Sequence, residues 1–388
     1  MVRRIGKDIF SDEDITESPT KKKEKEESFK AKAPDTEMSK ITNAAITLEQ
    51  TGIAIADKDG FKLFQLFPLN FRMYKNFLPQ VGPVRIAKHM GLSNTVCYVS
   101  ALGGNFAQNN VMIFNMEVNQ ELNEITTPSR YGHITNIQVS NNRLAVFTKA
   151  RLFVYDFPNN IRQLRSEDIR ENPKGTSAMS YDPTTSACYL AYPGFNVGTI
   201  QIMNLNSLTT RESKSPVVIE AHQNEIAQVA LNCQGTLVAS GSTKGTVLRV
   251  FDARTKAILY ELRRGTTPAH LQCLAFSSCS SYLAVASDKG TLHLFGIRDA
   301  EPQKRMNMLE RNRGTGSLLK INLDRNVLAL GFSKQSAKSF PGVVAICSDG
   351  SYWRFHFTKD GTGKYRNDPP FFEMLGEIAE ETSFFRAT

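Results

Sequence analysis

Two adjacent arginines, Arg263 and Arg264, lie in a stretch that reads as a β-strand followed by a turn. Neighbouring residues on an extended strand point to opposite faces. The two guanidinium groups can therefore serve two pockets, one on each side, more easily than a single shared pocket. Because each guanidinium presents a planar fork of donors that suits a phosphate, the pair predicts the divide between two anion-binding sites.

Matching partners flank the arginine pair on both sides. His222 precedes one repeated segment and His293 lies within the next. Each segment carries a Ser-x-x-x-Thr turn with a central lysine, at 242–246 and 287–291. A phosphate ester carries about −1.5 to −2 charge and accepts several hydrogen bonds, and these side chains are the donors that it needs. The sequence therefore predicts that each side gathers an arginine, a histidine, hydroxyl groups and a lysine.

Each of these residues also has an ordinary structural explanation. Ser and Thr are common in turns because their hydroxyl groups bond to the local backbone. Taken alone, His222 is better explained by packing between strands, His293 by a hydrogen-bonded core position, and an arginine pair by solubility. The coincidence of both turns, both histidines and the arginine pair in adjacent repeats favours binding.

The repeats that carry these residues predict the fold. Residues 226–251 and 271–295 each read as three antiparallel strands with a Lys-Gly turn before the third, and fainter copies lie at 53–67 and 328–357. A four-strand repeat of about 40–50 residues indicates a β-propeller, with roughly seven blades for this length. We predict an all-β fold, a seven-bladed β-propeller of degenerate WD40-like repeats with four antiparallel strands per blade. Complete strand sets at both ends predict a ring that no shared strand closes.

Composition divides the chain into a charged tail, residues 1–38, and the propeller, residues 39–388. The tail has few large apolar groups and is predicted to be disordered. Residues 1–40 hold ten basic and ten acidic residues, so the net charge of +9 resides in the folded body. A basic body favours an anionic partner: a nucleic acid, an acidic protein or an acidic lipid surface.

Other features of the sequence argue against several classes of protein. The six scattered cysteines include no C-x-x-C pair, which disfavours a disulfide framework or a zinc site and fits a reducing compartment. The N-terminus is charged and no apolar run is long enough to span a bilayer, so we expect neither signal peptide nor membrane span. No catalytic motif or metal cluster is present, so we expect neither an enzyme nor a cofactor. Basic and aromatic residues are not interleaved, which disfavours nucleic-acid binding.

The segment 221–295 resembles the PROPPIN family, called WIPI proteins in animals. The family hallmark Phe/Leu-Arg-Arg-Gly is matched by Leu262–Gly265. The following residues 266–269 and the turn 287–291 resemble the subgroup of the third and fourth mammalian members. The resemblance implies a non-enzymatic effector in autophagy. It would bind phosphatidylinositol 3-phosphate and phosphatidylinositol 3,5-bisphosphate at two rim sites.

Motif position in the family assigns residues to these two sites, and we add a lysine to each on physical grounds. Site 1 is expected to comprise His222, Ser242, Lys244, Thr246 and Arg263. Site 2 is expected to comprise Arg264, Ser287, Lys289, Thr291 and His293.

The family also inserts a loop of the sixth blade into the membrane, and here that loop corresponds to residues 298–316. Basic residues surround a small apolar cluster of Met306, Met308 and Leu309, a combination that suits a headgroup interface. A plain solvated loop is an equally good interpretation. The short length of this loop leaves its depth of insertion open.

The expected partners follow from this interpretation. They are 3-phosphorylated phosphoinositides in membranes and autophagy proteins, with a lipid-transfer protein of the autophagy machinery as one candidate. We expect a cytoplasmic monomer, peripheral on phagophore or endosomal membranes, that binds no nucleic acid. The alternative function is a β-propeller protein-interaction scaffold without lipid binding, in which the arginine pair holds an acidic peptide.

Overall fold

The computed structural model of the chain describes most of the predicted propeller. The described residues are 41–76, 81–91, 93–209, 216–297, 315–333, 342–359, 364–367 and 370–378. The predicted tail, residues 1–38, lies outside them and stays a prediction. Among the described residues, no helix is long and apolar enough to cross a membrane.

The first four blades are four-stranded sheets of consecutive antiparallel strands. Blade 1 contains β1 (Asn43–Ile46), β2 (Gly52–Asp57), β3 (Gly60–Gln65) and β4 (Asn70–Asn76). Blade 2 contains β5 (Val84–His89), β6 (Thr95–Ser100), β7 (Asn110–Asn115) and β8 (Gln120–Thr126). Blade 3 contains β9 (Ile134–Val139), β10 (Arg143–Thr148), β11 (Arg151–Asp156) and β12 (Arg162–Asp168). Blade 4 contains β13 (Ala178–Asp182), β14 (Ala187–Pro193), β15 (Thr199–Asn204) and β16 (Val217–Glu220).

The last three blades depart from this simple order. Blade 5 contains β17 (Ile226–Leu231), β18 (Leu237–Ser242), β19 (Val247–Asp252), β20 (Ile258–Arg263) and, on its outer edge, the two-residue β24 (Thr315–Gly316). Blade 6 contains β21 (Leu271–Phe276), β22 (Tyr282–Ser287), β23 (Thr291–Gly296) and β25 (Leu319–Asn322). Blade 7 contains β26 (Val327–Ser333), β27 (Gly342–Cys347), β28 (Ser351–Lys359), β29 (Tyr365–Asn367) and β30 (Phe371–Met374). Short 3₁₀ turns lie at Ser129–Tyr131 and Asn206–Thr209.

Seven sheets of mostly four antiparallel strands confirm the predicted seven-bladed β-propeller. The apolar residues of each strand alternate between two faces, and clusters form where neighbouring blades meet. Between blades 5 and 6, Leu248 and Leu262 pack with Leu283, Val285 and Phe295. Burial of each such side chain contributes about 1.5–3 kcal/mol, so the interfaces between blades hold the ring together.

At the junction between the first and last blades, the described residues contain no strand shared between the two blades, as predicted, because β1–β4 and β26–β30 form separate sheets. Side chains join them instead. Gln50 of blade 1 accepts a hydrogen bond from the Phe332 backbone N–H of blade 7 at 2.8 Å, and it also donates one to the Phe276 carbonyl of blade 6 at 2.9 Å. The Tyr352 hydroxyl donates to the Leu66 carbonyl at 3.1 Å.

Candidate functional site

The arginine pair lies at the end of β20, the fourth strand of blade 5. Leu262 points into the apolar cluster between blades 5 and 6. Arg263 pairs with Val247 and its side chain is exposed, whereas Arg264 is only 7% exposed. Because successive side chains alternate, Arg264 lies on the side of Leu262 and blade 6, and Arg263 lies on the other side.

Arg264 has structural contacts of its own. Its Nε donates to the Gly245 carbonyl at 2.5 Å, and a terminal nitrogen donates to the Thr267 carbonyl. Burial lowers the pKa of Arg264, while the nearby Asp288 carboxylate raises it. The guanidinium therefore fastens the turn of blade 5 to the segment that leads into blade 6.

On the side of blade 4, the structure forms a polar row across blade 5. Ser240, Arg249 and Glu261 are direct neighbours on three successive strands. His222 Nε2 lies 3.0 Å from the Ser240 hydroxyl. Arg249 donates to Glu261 at 2.9 Å and to the Ala221 carbonyl at 2.7 Å. This row places His222 beside an arginine that sequence reasoning did not assign.

The other residues predicted for site 1 lie at the turn end of blade 5. Ser242 is 6% exposed and lies two residues from Ser240, hence on the same face of β18. The Lys244 side chain is exposed. Thr246 lies just before β19 and its carbonyl accepts the Arg264 backbone N–H at 3.0 Å. Ser242 and Arg263 thus lie on one face of blade 5. His222 contacts Ser240 rather than Ser242.

The residues predicted for site 2 lie on the face of blade 6 that meets blade 5. Ser287 and Thr291 are ladder partners with their hydroxyl oxygens 3.3 Å apart. His293 is 5% exposed, and its Nδ1 lies 3.3 Å from the Ser317 hydroxyl. Lys289 is exposed at the turn. Ser287, Thr291 and His293 therefore form one polar strip on the side where Arg264 lies.

Both histidines have a strongly lowered pKa. Burial lowers the pKa of His222 to about 4, with a further contribution from Arg249. Burial likewise lowers the pKa of His293 to about 4, and the charges of Arg264 and Lys320 add to it. These imidazoles are neutral at pH 7, so each supplies one N–H donor until an anion nearby raises its pKa.

The chain that returns to blade 6 passes beside the arginine pair. Thr315 and Gly316 pair in parallel with Leu262 and Arg263. Ser317, the next residue, contacts His293. The predicted membrane-contact residues Met306, Met308 and Leu309 lie outside the described residues.

Strand register reveals neighbours of the predicted site residues that sequence alignment of the repeats missed. Blade 5 pairs Gly241 with Leu248, whereas blade 6 pairs Ala286 with Leu292, so the blade 5 turn contains one more residue. Arg249 therefore occupies the position of His293, and Thr246 is the additional residue of that turn. On the next strand, Glu261 lies beside Arg249 and Lys320 beside His293. The signal available in the sequence was the two-residue alternation counted back from Phe251 and Phe295.

The described residues contain no group of three or more His, Cys, Asp or Glu side chains that could hold a metal ion. The donors gathered around the arginine pair are instead guanidinium, hydroxyl and imidazole groups, which suit an oxyanion.

The sequence is similar to known proteins over most of its length. A family model described as PROPPIN matches residues 42–309. Ectopic P granules protein 6 of Caenorhabditis elegans is 64% identical over 353 residues, which cover 90% of this chain and 91% of that protein. Autophagy-related protein 18 of Dictyostelium discoideum is 32% identical over 249 residues, which cover 63% and 62% of the two chains.

Solved structures agree with the fold. Hsv2 of Kluyveromyces marxianus superimposes with a TM-score of 0.69 at 21% identity, covering 87% of this chain and 99% of that one. KlAtg21, solved in complex with the coiled-coil of AgAtg16, gives a TM-score of 0.66 at 17% identity, with 86% and 99% coverage. These likenesses show the propeller fold, and the family match spans more than half of the chain. The chain belongs to the PROPPIN family.

Proposed function

We propose that this protein is a phosphoinositide effector in autophagy. It binds phosphatidylinositol 3-phosphate and phosphatidylinositol 3,5-bisphosphate at two rim sites flanking Arg263 and Arg264, and it recruits autophagy proteins to that membrane. PROPPINs are non-enzymatic β-propellers, in agreement with the lack of catalytic motifs in the sequence. The names of relatives such as Autophagy-related protein 18 support the process.

The observation that carries the proposal is the separation of the two arginines by β20. Arg264 lies with the strip of Ser287, Thr291 and His293. Arg263 lies on the face that also carries Ser242. Each face thus combines a guanidinium with hydroxyl and imidazole donors, which is the set that a phosphate monoester needs.

The chemistry of capture uses charge and hydrogen bonds together. The guanidinium provides the charge-assisted bonds, and the Ser and Thr hydroxyl groups can turn their hydrogens toward phosphate oxygens. A phosphate dianion near the neutral His222 or His293 raises the pKa of that imidazole. Binding therefore favours proton uptake by the histidine, which adds a further cation to each site.

A membrane partner also suits the segment between the sites. The loop that contains Met306, Met308 and Leu309 returns to the fold at Thr315–Gly316, directly beside Arg263. Insertion of this loop would add apolar contact to the electrostatic capture. Two headgroup sites on one chain also raise the effective concentration of the second binding event.

The protein partners are proposed from the relatives. KlAtg21 has been solved with a coiled-coil of AgAtg16, so a coiled-coil segment of an autophagy protein is one partner class. A lipid-transfer protein of the same machinery remains the other candidate from the sequence.

Vesicle flotation tests the lipid proposal directly. We expect the protein to float with vesicles that contain 3-phosphorylated phosphoinositide and to remain unbound with phosphatidylcholine alone. Arg263→Ala is the best first variant, because this exposed side chain makes no hydrogen bond among the described residues. If folded wild-type protein does not float with the phosphoinositide vesicles, the alternative function, a protein-interaction scaffold without lipid binding, is favoured.

A further inference from the structure

The turn between β14 and β15 in blade 4 ends in an exposed apolar tip. Phe195 is 61% exposed and Val197 is 48% exposed, with Asn196 between them. Large apolar groups this exposed contribute little packing energy to the fold. Such a tip is typical of a contact surface.

The same turn in the next two blades has a different character. It follows the second strand of each blade, and its outermost residues are Thr243 and Lys244 in blade 5 and Asp288 and Lys289 in blade 6. Consecutive blades place equivalent turns at one end of the ring. The apolar tip of blade 4 and the lysine tips beside the two proposed sites therefore lie along one edge.

Hydrogen bonds join the apolar tip to site 1. The Gly198 carbonyl accepts the backbone N–H groups of Ala221 at 3.0 Å and His222 at 2.9 Å. Gly198 has φ +73°, and a Cβ there would lie 1.7 Å from the His222 carbonyl oxygen. Only glycine fits this approach, so the turn is held against the segment that carries the site 1 histidine.

The tip is also braced from its other side. Arg170 donates to the Phe195 carbonyl at 3.1 Å and pairs with Glu225 at 2.6 Å. The Thr199 hydroxyl donates to the Asn196 carbonyl at 2.7 Å. Phe195 and Val197 are thus presented on a fixed backbone.

Charged groups of both signs lie near the tip, with Arg170 and Glu225 paired to each other and Glu171 paired with Lys149. Lys174 is exposed and lines a cavity of about 170 Å3 together with Arg170, Glu171 and Glu225, and with Asn196, Thr243 and His270. The tips of blades 4 and 5 therefore share one cavity. An apolar tip with the exposed Lys174 beside it, Lys244 on the neighbouring turn and a proposed headgroup site next to it has the chemistry of the bilayer interface.

We propose that Phe195 and Val197 form a membrane contact that enters the headgroup interface when site 1 holds its lipid. This inference rests on the proposed lipid binding. It commits to an acidic lipid surface as the partner, and a protein partner for the tip becomes an outcome of the test.

Fluorescence of Phe195→Trp tests the proposal, with vesicles of phosphatidylcholine, phosphatidylserine and phosphatidylinositol 3-phosphate as the probe. We expect a blue shift and quenching by brominated acyl chains. Val118→Trp is the matched control, because Val118 is 53% exposed on the turn between β7 and β8 of blade 2. The native Trp353 contributes equally to both proteins, and the control should not change.

A second variant measures the contribution to binding. Phe195→Ser with Val197→Ser should weaken vesicle binding about tenfold, since two side chains lose partial burial at the interface. Its affinity for soluble inositol 1,3-bisphosphate should be unchanged. Vesicle-bound Phe195→Trp protein whose emission does not move would overturn the proposal, and so would full vesicle binding by the serine variant. If wild type binds neither vesicles nor soluble headgroup, the proposed function itself fails.

Discussion

The two proposed sites lie on opposite sides of β20 and are assembled from related parts, but their arginines do different work. The Arg263 side chain is exposed and makes no hydrogen bond within the described part of the chain. Arg264 is buried and bonded to the Gly245 and Thr267 carbonyls. One arginine is therefore available for a ligand at little structural cost, while the other also holds the junction of blades 5 and 6.

The charged residues around the two proposed sites also differ. At one ladder position, site 1 has Glu261 paired with Arg249, whereas site 2 has Lys320 beside His293. At the turn it is site 2 that carries the acidic residue, since it has Asp288 where site 1 has the neutral Thr243. The repeat therefore determines where the hydrogen-bond donors lie. Charged residues outside the motif determine the electrostatic potential at each proposed site.

The largest expected effect is loss of both sites. Replacing Arg263 and Arg264 with Thr-Thr should reduce vesicle binding by two orders of magnitude or more, because charge-assisted phosphate bonds contribute roughly 1.5–3 kcal/mol each. Flotation with phosphatidylinositol 3-phosphate vesicles measures this. Circular dichroism must show that the variant is folded, and unchanged flotation by such protein would contradict the assignment of the pair.

The second largest effect is a difference in the free energy of unfolding between variants of the two arginines. Arg264→Ala should lower the free energy of unfolding by about 2 kcal/mol, because the Gly245 and Thr267 carbonyls lose a charged donor. Arg263→Ala should stay within about 0.5 kcal/mol of wild type, as exposed positions usually do. Urea unfolding compares the two variants, and equal losses of stability would contradict a structural role for Arg264 that Arg263 lacks.

The third effect concerns the field around each site. Lys320→Gln should weaken binding at site 2 by a few-fold, because an exposed lysine near a phosphate contributes on the order of 1 kcal/mol. Glu261→Gln should strengthen site 1 by a similar factor, since Arg249 loses its carboxylate partner. Titration of each variant with soluble headgroup at low salt is the measurement. The affinity for headgroup should fall in Lys320→Gln and rise in Glu261→Gln. A change in the same direction in both variants would contradict this prediction.

The smallest effect is a pH dependence of stability. The folded pKa of His222 and of His293 is about 4, well below that of an unfolded histidine. The unfolded chain takes up protons first, so the stability that the neutral imidazoles contribute is complete above about pH 6.5 and is lost as the pH falls toward 4. Unfolding midpoints from pH 7 to 4.5 should therefore fall less steeply in His222→Asn than in wild type. Parallel curves would show that His222 is not held neutral.

The sequence was sufficient to predict the fold because its repeats are strong at 226–251 and 271–295. It was also sufficient to place Ser287, Thr291 and His293 together, since they lie on one short hairpin. It missed Lys320, which lies far from His293 in the sequence and becomes its neighbour only through the pairing of β23 with β25. It also missed the extra residue in the blade 5 turn, Thr246. This residue places Arg249 at the position that His293 has in blade 6, and only the strand pairing shows it. The clamp by Arg264 depends on carbonyl groups, which carry no sequence signal.

Two independent sites divided by one strand are the central claim, and their number can be counted. Isothermal titration with soluble inositol 1,3-bisphosphate should give two sites per chain for the wild type. Arg263→Ala and Arg264→Lys should each leave one site at full affinity, with the lysine chosen to retain a donor for the blade junction. A wild-type stoichiometry of one, or loss of both sites in either single variant, would contradict the account.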